Sequence, residues 1–262
     1  MQDSETNASY DFYRAVMQRL SAAGIPFLVG GSVALSQYMR LGRPSKDLDL
    51  FAMREHTDAL LAEAEQAGYR TEITSRHWLA KIYDRDDNFI DVVFNSGNGI
   101  CVVDASWFEH GVPGAALGLE VKFCAPEELI WSKAYIMERE RYDGADINHL
   151  VRACGSTIDW RRLLTRFGPH WPVLLSHLVL FLFVYPSERA AIPDWLLADL
   201  LERTRVEAKK ISADAVCNGT LLSRSQYRID VESWGYRDAR LPPSGGMSAK
   251  EAASWTRAAG SS

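Results

Sequence analysis

The chain has 262 residues, of which 47% are hydrophobic and 24% charged, and a formal net charge of −5. This balance excludes the apolar-poor, charge-rich class of disordered chains and leaves enough length for one large domain or two modest ones. The negative total also disfavours a general nucleic-acid coat, which needs cations to displace counterions from phosphates, while allowing a local basic groove.

The first ten residues are polar and include Asp3 and Glu5, unlike a secretory signal with its basic start and apolar run. A long apolar run at 173–185 is interrupted by Ser176 and His177 and fenced by Pro172 and Pro186. It falls short of the ~20 residues of a membrane span and is expected to be a core helix. Cys101, Cys124, Cys154 and Cys217 are scattered without a C-x-x-C pair, so reduced thiols and a cytoplasmic location are expected.

In chain order, residues 10–23 carry a helical apolar stripe at Phe12, Ala15, Val16 and Leu20, stopped by Gly24. Residues 25–29 fit a short buried strand, Gly30-Gly31 a turn, and Ser32 the N-cap of a helix reaching about Met39. A loop over 40–46 leads to a strand at 47–52, a helix at 55–67 and a hairpin of strands at 79–83 and 89–94 around an acidic turn. Residues 119–124 fit a last strand. From Pro126 the pattern turns helical, with helices expected at 127–139, 145–153, 159–167, 173–185 and 194–205. The expected fold class is therefore α/β: a mixed sheet with flanking helices over 1–125, a helical half over 126–206 that completes the nucleotide cleft, and a partly mobile extension over 207–262.

The chemistry is concentrated in carboxylates. In a strand, Asp47 and Asp49 project from the same face, where they repel each other unless one is protonated or cations intervene. Hard oxygen donors suit Mg²⁺ or Mn²⁺. Asp91 lies within an apolar strand, where a charged carboxylate is costly without a partner. A metal shared with Asp47 and Asp49 would satisfy it; a salt bridge to Lys81 across the hairpin is the alternative. Taken singly, a D-x-D at a strand end is most often surface decoration, and Gly30-Gly31-Ser32 only a turn. The ordered set carries more: glycines admit a ligand close to the backbone, amides opening the next helix attract phosphate oxygens, and Ser32 adds a hydroxyl. Metals held by Asp47, Asp49 and Asp91 would then clamp the reacting phosphate and activate an acceptor hydroxyl, with Asp91 assisting its deprotonation.

At these residues the chain resembles the nucleotidyltransferase superfamily that includes DNA polymerase β, kanamycin nucleotidyltransferase and the bacterial minimal nucleotidyltransferases. The superfamily pattern G-[GS]-[ST], then [DE]-x-[DE], then a later acidic strand residue corresponds to Gly30-Gly31-Ser32, Asp47-x-Asp49 and Asp91. The chain is also similar to nucleotidyltransferases of the abortive-infection AbiE type, whose helical half carries a lysine followed by an aspartate pair. These correspond to Lys133, Asp143 and Asp146, with Tyr142 standing where a basic residue is common. The resemblance implies that Lys133 contacts the triphosphate; an ordinary surface lysine paired with Glu128 or Glu138 is the alternative, and the two aspartates could equally cap the next helix.

Arg40, Arg43 and Lys46 precede Asp47 and could hold phosphate, whereas the arginines and lysines of the helical half are expected to be solvated. No zinc-protease spacing and no serine-nucleophile elbow is present. The expected function is metal-dependent transfer of a nucleoside monophosphate from a nucleoside triphosphate, with ATP among the candidates, to a hydroxyl on protein, RNA or a small molecule. Two alternatives stand beside it: a silent nucleotide- or partner-binding module of a toxin–antitoxin pair, and a metal-dependent nuclease. A cognate protein partner is compatible with the first, and no membrane is expected.

Overall fold

A computed structural model describes residues 2–40, 47–210 and 214–257, with side chains from Ser9 onward. The chain divides into two compact units, Met1–Ala125 and Pro126–Ser262.

In the first unit, helix α1 (Gln2–Ala22) buries Phe12, Tyr13, Val16, Met17 and Leu20, a stripe at helical spacing, and gives way at Gly24, whose φ of 70° suits glycine. There follow β1 (Leu28–Val29), α2 (Gly31–Met39), β2 (Leu48–Phe51), α3 (Arg54–Gln66), β3 (Arg70–Ser75), β4 (Leu79–Tyr83), β5 (Phe89–Val93), α4 (Ala105–Glu109), β6 (Val112–Ala116) and β7 (Leu119–Phe123). The strands form one mixed sheet in the order β3-β4-β5-β2-β1-β7-β6, with β2–β5 and β1–β7 parallel and the other pairs antiparallel. Leu48, Leu50, Ile90 and Val92 alternate into the core from the two central strands. Beyond them Trp107 is fully buried, stacked on Phe51 with ring centroids 5.2 Å apart, its indole N–H donating to the Val102 carbonyl.

Three elements of this unit, β3, β6 and α4, have no counterpart in the sequence reading. Strand β3 is polar and largely exposed, so it lacks the alternation that marks a half-buried strand. Strand β6 contains Pro113 and Gly114, both depleted in strands, and is tolerated at the sheet edge. The β6–β7 turn is made by Leu117 and Gly118, both at positive φ, as a tight hairpin requires. Helix α4 is a single short turn.

The second unit contains α5 (Pro126–Lys133), α6 (Gly144–Cys154), α7 (Trp160–Phe167), α8 (Trp171–Val184), α9 (Asp194–Glu207), β8 (Val216–Cys217), α10 (Arg228–Glu232), β9 (Arg237–Asp238) and α11 (Ala249–Arg257). Helix α5 stops at Lys133, short of the expected Arg139, and residues 134–143 fold back through a bridge between Met137 and Tyr142. Asp159 caps α7 as expected of its residue type, accepting from the amides of Arg161 and Arg162. Arg162 is not solvated: its guanidinium is turned inward, 2.8 Å from Glu127 and bonded to the fully buried Glu128. Helix α8 is only half a core helix. Leu174, His177, Leu178 and Phe181 are buried, whereas Val179, Leu180, Phe183 and Val184 are exposed. By length and hydropathy Trp160–Val184 could cross a membrane, but Gly168, at a φ of 50°, separates α7 from α8.

Part of the C-terminal extension is helical. Ser248 and Glu251 form a capping box at α11, the serine hydroxyl and amide donating to the glutamate at 2.7 and 2.8 Å. The rings of Trp234 and Tyr236 are exposed. The segment is tied by Glu138, which accepts from the Ser223 hydroxyl at 2.6 Å and the Arg224 amide at 3.1 Å, and within it Asp238 and Arg240 form a buried pair.

Candidate active site

The site is built where β1 ends and α2 begins. The Gly30 amide donates to the Asp49 carbonyl at 2.9 Å, continuing the β1–β2 ladder by one residue before the chain turns. A Cβ on Gly30 would collide with the Phe51 ring, and one on Gly31 would collide with the Asp49 carboxylate. Gly31 also holds a φ of 54°, a conformation that favours glycine. The two glycines thus let β2 lie against the turn with Asp49 aimed at it. Ser32 does not cap the helix, contrary to expectation: Gly30 takes the N-cap position without a side-chain cap bond, and Ser32 stands, exposed, one residue inside α2. The left-handed Gly31 lets the chain enter its first turn early. The opening amides of α2, which have no intrahelical acceptors, lie beside the Asp49 carboxylate.

Asp91 meets Asp49 through strand register. The two are direct partners on parallel β2 and β5, about 4.8 Å apart from strand to strand, and side chains at paired positions share a face. On the other side of Asp91, β4 places Lys81 as its partner, and β3 places Glu72 opposite Lys81. One row of the sheet therefore reads Glu72, Lys81, Asp91, Asp49. The Lys81 ammonium lies 2.8 Å from Asp91, both side chains are about four-fifths buried (18% and 20% exposed), and the ammonium sits 3.6 Å from the Phe89 ring centroid. The salt bridge considered as an alternative for Asp91 is thus present. Burial pushes the Asp91 carboxyl above the ordinary carboxylate range, with Lys81 pulling against it and the negative charge of Asp47 adding to the push.

Asp47 stands exposed just before β2. It also acts on Tyr13, a buried residue of α1 absent from the sequence reading. The Tyr13 phenol is pushed up to about 12, chiefly by burial and then by the charges of Asp47 and Asp84, with Asp49 contributing less. It remains an O–H donor at any physiological pH. Its position four residues before Met17 and seven before Leu20, on the buried stripe, was the available signal.

Carboxylate oxygens, the donors that Mg²⁺ and Mn²⁺ prefer, share this face with the Lys81 ammonium. Among the described residues no three histidine, cysteine, aspartate or glutamate side chains gather as a ready-made metal group. The residue types suit a hard cation, but the three aspartates are not drawn together as a metal group and one edge of Asp91 is engaged by the Lys81 ammonium. Lys46 lies outside the described residues.

Lys133 belongs to the helical unit. Its ammonium is 2.8 Å from both Asp143 and Asp146, and its side chain is 12% exposed. The spacing of lysine and aspartate pair thus becomes a three-member ion cluster rather than a surface pair with Glu128 or Glu138. Burial alone would lower the Lys133 pKa, but the two carboxylates raise it above the ordinary lysine value. Asp143 stands at the N-cap position of α6 without capping it through its side chain. Its carboxylate is held instead by Lys133 and by Arg141 at 2.9 Å, so Arg141, one position before Tyr142, supplies the basic partner.

An acid-stability prediction arises from this cluster. Burial pushes Asp143 upward, but Arg141 and Lys133 outweigh it and hold its pKa below the ordinary value. A carboxyl depressed in the folded state contributes stability above its unfolded pKa of ~3.9 and loses it as pH falls through the folded value. Denaturant unfolding from pH 7 to 2 should show wild type more stable than Asp143→Asn at neutral pH, with the gap closing below about pH 4. A gap that widens in acid would refute the assignment.

The glycine turn gives a second prediction. Gly31→Ala should cost about 1–2 kcal/mol in backbone strain. It should also displace the Asp49 carboxylate, reducing any nucleotidyl transfer on the order of 10²-fold. Thermal melting and a pyrophosphate-release assay measure the two effects, and an alanine variant of wild-type activity would show that Asp49 need not occupy this place.

A mixed sheet carrying a glycine turn and cross-strand aspartates defines the nucleotidyltransferase class. The family described as "Nucleotidyl transferase of unknown function (DUF2204)" matches residues 9–166, and the chain belongs to it. No curated protein matches the chain. Among solved structures it is similar to the antibiotic-resistance factor ANT(2'')-Ia, with 20% identity, 65% of this chain and 97% of that one covered, and a TM-score of 0.45. It is also similar to an antigenic nucleotidyltransferase-like protein from Paracoccidioides brasiliensis (14% identity, 70% and 93% covered, TM-score 0.44) and to the lincosamide antibiotic adenylyltransferase LnuA in its lincomycin-bound form (15%, 54% and 94%, TM-score 0.39).

Proposed function

We propose that this nucleotidyltransferase moves a nucleoside monophosphate from a nucleoside triphosphate to an acceptor hydroxyl in the cytoplasm, dependent on Mg²⁺ or Mn²⁺. The observation that carries this reading is the Asp49 carboxylate, seated against Gly31 at the start of α2 and in register with Asp91. The acceptor oxygen bonds to the α-phosphorus, the bond from that phosphorus to the α,β-bridging oxygen breaks, and pyrophosphate leaves with the electron pair. The acceptor proton passes to a base, for which Asp91 is the candidate because burial lifts its proton affinity above that of an ordinary carboxylate. Asp47 and Asp49 would hold the divalent ion, which when bound supplies charge neutralisation of the triphosphate. The Gly31 and Ser32 amides, at the positive end of the α2 dipole, receive phosphate oxygens. In the helical unit, Lys133 is held by Asp143 and Asp146.

The test uses purified chain, Mg²⁺ and each α-labelled nucleoside triphosphate in turn, over cell extract. Label entering protein, RNA or small molecules, with pyrophosphate released and both lost in an Asp47→Ala/Asp49→Ala variant, is the expected result. Failure of every nucleotide to yield pyrophosphate would remove this reading, and cleavage of nucleic acid without nucleotide would replace it with hydrolysis.

A further inference from the structure

The row of paired side chains across β3, β4, β5 and β2 contains a positive charge that the proposed reaction does not use. Lys81 faces Asp91 in direct register, with 2.8 Å between ammonium and carboxylate, and both side chains are largely withdrawn from water. Its stem crosses the Phe89 ring, which holds the ammonium 3.6 Å from the ring centroid and restricts where it can swing. An ammonium so placed offers Asp91 what a divalent ion would offer: a compact, strongly hydrated cation at contact distance. With Lys81 present, the three aspartates carry a local charge of −2 rather than −3, and Glu72, at the exposed end of the row, is screened by solvent. A single divalent cation then neutralises the set.

We infer that Lys81 stands in for a second divalent cation beside the one proposed on Asp47 and Asp49, so that the nucleotide-free protein binds one such ion and not two. The inference rests on the proposed function, since it concerns the same carboxylates. Lys81 is accordingly a positioning residue: from the neighbouring strand it holds the Asp91 carboxylate at 2.8 Å without itself touching the reacting phosphate.

The experiment is Mn²⁺ titration of the full chain without nucleotide, followed by electron paramagnetic resonance and by calorimetry, with circular dichroism as a check on folding. Wild type and Lys81→Arg, which keeps the cation, should each bind one Mn²⁺ per chain. Lys81→Met, which keeps the stem and removes the charge, should bind two, and Lys81→Met/Asp91→Asn should return to one. Two ions on wild type, or one on a folded Lys81→Met, would overturn the inference. If those stoichiometries fail while Mg²⁺-dependent pyrophosphate release persists, only the role of Lys81 falls. If wild type binds no Mn²⁺ and releases no pyrophosphate from any nucleoside triphosphate, the nucleotidyl-transfer reading falls and takes this inference with it.

Discussion

Replacing Asp49 with Asn is expected to reduce nucleotidyl transfer on the order of 10³-fold or more, about 4 kcal/mol of lost transition-state stabilisation. The argument is geometric. Asn has the shape of Asp, so the packing against Gly31 and the backbone bond from Gly30 should survive and the unfolding midpoint should barely move. What disappears is an anionic donor in a place where no neighbouring side chain can substitute: Asp91 is bound to Lys81, and Asp47 stands outside the strand. The amide's weaker donor oxygen would not hold a hard cation as tightly. Steady-state pyrophosphate release at saturating Mg²⁺ decides it, and a variant within tenfold of wild type would place the metal elsewhere. Asp47→Asn should lose less, because exposed Asp47 has water to reorganise around it.

Lys133→Met should cost about 3–5 kcal/mol of folding stability, the typical penalty for removing one member of a buried ion cluster. Two carboxylates would be left facing each other, Asp143 with 8% of its side chain exposed and only Arg141, itself largely solvated, to offset it. A purely nucleotide-contacting lysine would behave otherwise, raising KM while leaving the unfolding midpoint untouched. The discriminating measurement is a double-mutant cycle: adding Asp146→Asn to Lys133→Met should recover part of the lost stability, since the uncompensated charge is removed. A loss below about 1 kcal/mol in urea unfolding would show that the cluster is not structural.

Much of the α/β half was legible because its signals are local. Gly30-Gly31 announces a turn whatever surrounds it, since few residues accept the φ of Gly31. Leu48-Asp49-Leu50 alternates with period two, and Pro126 marks the first residue of α5. Strand β3 escaped notice because an edge strand exposed on both faces has no alternation to display, and β6 because its proline and glycine are tolerable only at an edge that no local pattern reveals. The exposed half of α8 is not legible in the sequence for a related reason. An all-round apolar helix does not say which of its faces finds a partner.

The sequence by itself determined the residue types and the order of the site: a glycine turn, paired aspartates and a third acidic strand, each set by local conformational preference and by the period of a strand. The tertiary structure alone decided which charges meet. Register between β2, β5 and β4, which depends on packing across residues far apart in the chain, puts Lys81 and Asp49 on either side of Asp91. In the helical unit, the reversal of the chain after α5 brings Asp143 and Asp146 onto Lys133. Ion pairing falls off within a few ångströms in a solvated protein, so the sequence could offer the Asp91–Lys81 pair only as an alternative to a shared metal, and could not show that Lys133 is held by both Asp143 and Asp146.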